Sequence, residues 1–129
     1  MDNYEYSELL KTLQNKVDNI KSIINPQQIS NRLAEINELE NSPDFWKNIK
    51  EAGILGKEKT KLENLLKQYE KAQAAINDAR ELFELANLEN DEETLKAIFD
   101  DSKNLEESIV NLEIAMLLSD EKDSKNAIV

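Results

Sequence analysis

The sequence predicts an all-α fold: a helical bundle built on a long antiparallel, coiled-coil-like hairpin with two shorter N-terminal helices. Three observations carry this expectation. Charged residues make up 33% of the chain and apolar residues 40%, with only 2 Gly and 2 Pro among them, a composition typical of long helices. Aromatic residues stand at 5% and runs of β-branched residues are almost absent, which disfavours sheets. Apolar residues also recur in steps of three and four along most of the 129 residues, the period of one helical face.

The first helix is expected over about 4–24, where Tyr6, Leu10, Leu13, Val17, Ile20 and Ile24 share a face. It stops at Asn25-Pro26, because a residue before proline is pushed out of the α region. Pro26 then suits the opening turn of a short second helix, about 27–40, with a stripe of Ile29, Leu33, Ile36 and Leu39 or Glu40. Ser42-Pro43-Asp44 reads as the start of a third helix, about 43–88, with Ser42 capping and Asp44 at the positive end of the dipole. Phe45 and Trp46 are expected to staple that start into the core. Gly53 and Gly56 each weaken a helix by up to ~1 kcal/mol, so a break or kink is expected near 53–56.

Beyond Gly56 the stripe is strict: Leu62, Leu65, Tyr69, Ala72, Ile76, Ala79, Phe83 and Ala86. A polar turn at Glu89-Asn90-Asp91 follows, and Asp91 can cap a fourth helix over about 91–118. Its stripe is Leu95, Ile98, Ser102, Leu105, Ile109, Leu112 and Met116. Two long helices joined by a short polar turn should fold back antiparallel, and heptad spacing also permits self-association of the chain. The helical domain is thus expected over 1–118. The remaining stretch, 119–129, reads as a polar linker ending in Ala127-Ile128-Val129, the start of a following domain that is cut short.

Composition excludes several chemistries. Without Cys or His there are no disulfides, no Cys/His metal sites and no Ser-His or Cys-His nucleophile pairs. The acidic start, Met1-Asp2-Asn3-Tyr4-Glu5, is unlike a signal peptide, and no apolar run approaches the ~18 residues of a membrane span. No membrane contact is expected, and a cytoplasmic location is. A net charge of −11 argues against a nucleic-acid binder. The charge is uneven: Trp46 to Gln73 holds seven Lys against four Glu, whereas Glu81 to Asp123 holds fourteen acids against three Lys. Such an acidic third would attract a partner with a basic surface.

Short motifs add no catalysis. Gly53-Ile54-Leu55-Gly56 matches the GXXG of a KH loop, but that module needs strands and a basic groove. Gly56-Lys57 lacks the earlier glycine and the Ser or Thr of a phosphate loop. Asp91-Glu92-Glu93 and Asp120-Glu121 lack the spacing of a calcium loop. Asp100 and Asp101 are sequence neighbours and do not face each other on a helix.

Ser42-Pro43-Asp44-Phe45-Trp46 follows a Leu-rich first helix and a short second one. Together with Glu84-Leu85-Ala86 through Asn90-Asp91-Glu92-Glu93, this order resembles the opening of a bacterial peptide chain release factor. So does the ending, Met116-Leu117-Leu118-Ser119 through Asp123 to Asn126-Ala127-Ile128-Val129. Trp46 favours the type 2 factors over type 1. The resemblance implies a parent protein in which a later tripeptide reads UAA and UGA and a Gly-Gly-Gln motif promotes peptidyl-tRNA hydrolysis. Neither lies in this sequence, so it implies no catalytic, cofactor-binding or metal-binding residue here, and no enzyme activity for this chain. It implies instead a docking domain for the ribosome, at the stalk-base protein and GTPase-associated region, cooperating with the release-factor-recycling GTPase and with the parent's remaining domains. The partner-facing residues expected are those of the hairpin turn: Glu89, Asp91, Glu92 and Glu93. Periodicity and charge alone fit a non-ribosomal helical adaptor or chaperone-like coiled-coil hairpin equally well.

Overall fold

A computed structural model describes the backbone of residues 1–128 and the side chains of residues 1–119. The elements are α1 (Asn3–Ile24), α2 (Pro26–Glu40), a single 3-10 turn (Phe45–Lys47), α3 (Ile49–Leu88) and α4 (Glu92–Ile128). No strand occurs among the described residues, so the all-α expectation holds. Where a linker and the start of a following domain are expected over 119–129, and a helix end at 118, the backbone continues α4 to Ile128, while the side chains from residue 120 and the whole of residue 129 lie outside the described residues.

The chain divides into two compact units, Met1–Ile23 with Tyr69–Val129, and Ile24–Gln68. In the first, Tyr6 and Leu10 of α1 pack with Phe83 and Ala86 of α3 and Ile98 of α4. A second cluster joins Leu13 and Val17 to Ala72, Ile76 and Ile109. Rising numbers in α1 and α4 therefore meet falling numbers in α3, so α3 runs antiparallel to both. Leu13, Val17 and Ile76 are fully buried and Ile109 nearly so, at the 3-4 spacing that places one stripe of each helix on a common core. Three rings form the end of the core nearest the α3–α4 turn: Tyr6 meets Phe83 edge-on at 4.8 Å and Phe99 at 5.6 Å. Polar seams border the apolar ones. Lys16 and Asn19 both reach Glu113, at 3.3 and 3.1 Å, and Gln14 pairs with Gln73 at 2.9 Å.

The hairpin turn follows from two residues. Asn90 takes a left-handed conformation, φ 54°, which asparagine tolerates better than most side chains. With it in place, the Asp91 amide donates to Ala86 O at 2.9 Å and the Asn90 amide to Asn87 O at 3.3 Å, the paired bonds of a Schellman stop. Asp91 then caps α4: its carboxylate accepts from the Thr94 amide at 3.1 Å and the Thr94 hydroxyl at 2.6 Å.

In the second unit Asn25, φ 49°, caps α2 by accepting from the Gln28 amide, and Pro26 occupies the first turn. Ile29 and Ile36 are its buried residues. Arg32 forks onto Glu58 of α3, donating from Nε at 2.8 Å and Nη2 at 2.9 Å. Lys59 reaches Glu40 at 2.9 Å.

Three expectations need correction here. The third helix begins at Ile49, not near 43: Asn48 is its cap, accepting from the Glu51 amide at 3.2 Å. The backbone carbonyls of Ser42 and Asp44 instead accept from the Phe45 and Lys47 amides in consecutive tight turns, both at 3.2 Å. Of the break or kink expected near 53–56, the break is absent, the helix being unbroken from Ile49 to Leu88. Ala52, Leu55, Leu62, Leu65 and Tyr69 are half-buried at helical spacing on both sides of the glycines, and this continuous stripe outweighs two weak propensities. Trp46 is no core staple, being 64% exposed. Its ring meets that of the half-buried Phe45 edge-on, at 4.7 Å.

Candidate functional site

The four acids expected to face a partner sit together where α3 turns into α4, but they are not equivalent. Glu89, Glu92 and Glu93 are exposed and Asp91 is half-buried. The carboxyl of Asp91 is held below the usual aspartate range, first by the Thr94 hydroxyl and then by the Thr94 amide. It is occupied in starting α4. Glu92 and Glu93 lie in the first turn of α4, where the positive end of the helix dipole favours them. Among the described residues none of the three glutamates enters an ion pair, so their charge is open to solvent.

A second feature of the same unit was not legible from sequence. An open groove of about 530 Å³ runs between α3 and α4, lined by Ala75, Asp78, Ala79 and Leu82 on one wall. Thr94, Ala97, Ile98, Asp101 and Leu105 form the other, with Tyr6 of α1 at the floor. Ala75, Ala79 and Ala97 are too short to close the space above Tyr6. Burial raises the Tyr6 hydroxyl above the usual tyrosine range, and the charge of Asp101 adds to it. The sequence signal was the pair of alanines at i and i+4 on α3 facing another on α4. It acquires meaning only once the register of the hairpin is known.

Chemically, the unit offers an acidic rim and an aliphatic trough. Among the described residues no group of three or more acidic side chains is placed to hold a metal ion, and no helix is long and apolar enough to cross a membrane.

Four α-helices and no strand among the described residues, with an acidic hairpin turn, define a class of helical binding domains. Comparison narrows it: residues 29–129 match the family described as the PCRF domain, and the chain belongs to that family. Over its entire length it is 67% identical to peptide chain release factor 2 of Campylobacter jejuni strain 81-176 and to that of Campylobacter lari. Identity to the Campylobacter concisus protein of the same name is 61%. The chain spans about 35% of the length of each of these curated relatives.

Proposed function

We propose that this chain is the ribosome-docking helical domain of a translation termination factor. The parent would direct UAA- and UGA-dependent peptidyl-tRNA hydrolysis through residues outside this sequence. The observation that carries the reading is end-to-end similarity to proteins named peptide chain release factor 2, in a chain holding no Gly-Gly-Gln. The docking partner in this reading is the basic stalk-base protein beside the GTPase-associated region, and docking cooperates with the recycling GTPase. Charge supports it: the fourteen acids between Glu81 and Asp123 would steer α4 and the hairpin turn towards a basic surface.

The test is binding of the chain to ribosomes and to isolated stalk-base protein, with Glu89, Glu92 and Glu93 replaced by lysine. Asp91 is left in place, since its loss would confound docking with unfolding of the α4 cap. Weaker binding, most pronounced at low salt, is expected. Unchanged binding would remove the turn from the interface, and absence of any ribosome binding by the unaltered chain would remove the docking reading itself.

A further inference from the structure

We propose that the groove between α3 and α4 receives a cationic amphipathic helix of a partner protein, its aliphatic side chains entering between Ala75, Ala79 and Ala97 and its Lys or Arg spanning Asp78 and Asp101. The site is distinct from the hairpin turn and does not depend on the docking reading above.

Shape comes first. A three-helix core normally closes its outer seam with large side chains, and here alanines stand on both walls. The resulting open volume of about 530 Å³ leaves room for side chains of a docked segment. Leu82, Ile98 and Leu105 make its surface aliphatic, and Leu82 is 47% exposed.

Charge comes second. Asp78 and Asp101 lie on opposite walls and neither enters an ion pair among the described residues. Asp101 accepts one hydrogen bond, from the side-chain Nδ2 of Asn104 at 3.1 Å. Two carboxylates flanking an aliphatic trough attract a cation on a flexible apolar stem. They repel nucleic acid, and they repel a second copy of this acidic chain.

The third observation is Tyr6. The residue is 2% exposed and lines the groove, and its hydroxyl feels the charge of Asp101 across it. An incoming ammonium or guanidinium would donate to the Tyr6 oxygen while bridging the two carboxylates.

The experiment titrates the 129-residue chain with a synthetic amphipathic helical peptide of Leu, Ala and Lys, and with a matched peptide carrying Glu for Lys. Binding is read from the NMR signals of the Ala75, Ala79 and Ala97 methyls and from calorimetry. The Lys peptide is expected to shift those three methyls, and the Glu peptide to leave them unmoved. Asp78→Asn with Asp101→Asn should weaken binding by about tenfold or more with unchanged circular dichroism. Ala97→Leu, which fills the groove from an exposed position, should abolish the shifts at Ala75 and Ala79. Equal affinity after removal of both carboxylates overturns the proposal, as do shifts confined to the hairpin turn or the outer face of α4. Methyl shifts that follow dilution of the chain alone would mark a self-interface and overturn it too.

Discussion

Replacing Gly53 and Gly56 by alanine should stabilise the second unit, and the structure supplies the size of the effect. Both glycines lie inside α3 with ordinary negative φ. A Cβ built at either position meets no atom within 4 Å, so alanine adds neither clash nor contact. What remains is backbone entropy, because glycine loses more freedom on entering a helix than alanine does. Each substitution should contribute ~0.5–1 kcal/mol and the pair about 1–2 kcal/mol, close to a tenfold shift in the folding equilibrium. Urea unfolding followed by far-UV circular dichroism and by Trp46 fluorescence measures it, since Trp46 is the only tryptophan and sits in the same unit. The midpoint should rise with the slope unchanged. Gly56→Pro supplies the opposite sign, costing ~3 kcal/mol or more by removing an amide donor and crowding the preceding turn. A double alanine variant no more stable than the parent, or a tolerated proline, would falsify the continuous helix and restore the break expected from sequence.

Two further outcomes concern the first unit. Ile76 is fully buried at the centre of the second core cluster, so Ile76→Ala should destabilise by ~2–5 kcal/mol; a loss well under ~1 kcal/mol on chemical denaturation would mean the cluster is not packed as described. Asp91→Ala removes the α4 cap and should lower the thermal midpoint at neutral pH. The folded carboxyl titrates below its ordinary value of 3.8. Its contribution is therefore fully present above that value and is lost as the pH falls through the lower folded one. The gap between wild type and variant should close in acid, and a gap that persists there would assign the effect to something other than the carboxylate.

How much was legible from sequence depended on what each feature rests on. The stripes of α1, α2 and α4 were readable because burial repeats at the helical period, and Tyr6, Leu10, Leu13, Val17 and Ile20 are the buried residues of α1. The Glu89-Asn90-Asp91 turn was readable because its chemistry is local. The start of α3 was misplaced because Ser42-Pro43-Asp44 serves tight turns as well as helix caps, and nothing in the sequence ranks it against Asn48. The expected break failed for a related reason: a glycine penalty is fixed, while the stripe that opposes it gathers over the whole helix. The groove lay out of reach because it depends on three helices at once, with alanines from two of them above a tyrosine from the third.

The acids of the first unit divide by the work the fold gives them, and that division has a testable sign. Asp91 holds Thr94 by two hydrogen bonds, and Glu92 and Glu93 sit at the favourable end of α4, so each of the three has a reason within the fold. Asp78 and Asp101 have no comparable one. They stand mid-helix, cap nothing and pair with no cation among the described residues, in a unit already crowded with negative charge. Self-repulsion of that kind disfavours the compact state. Asp78→Asn with Asp101→Asn should therefore raise the thermal midpoint of the chain, most at low salt, whereas Asp91→Ala lowers it. Groups that cost stability and are paired with no cation are those expected where a surface meets something else. A midpoint that falls on neutralising the pair would show that these two carboxylates support the fold after all, and the groove would lose its claim to an incoming cation.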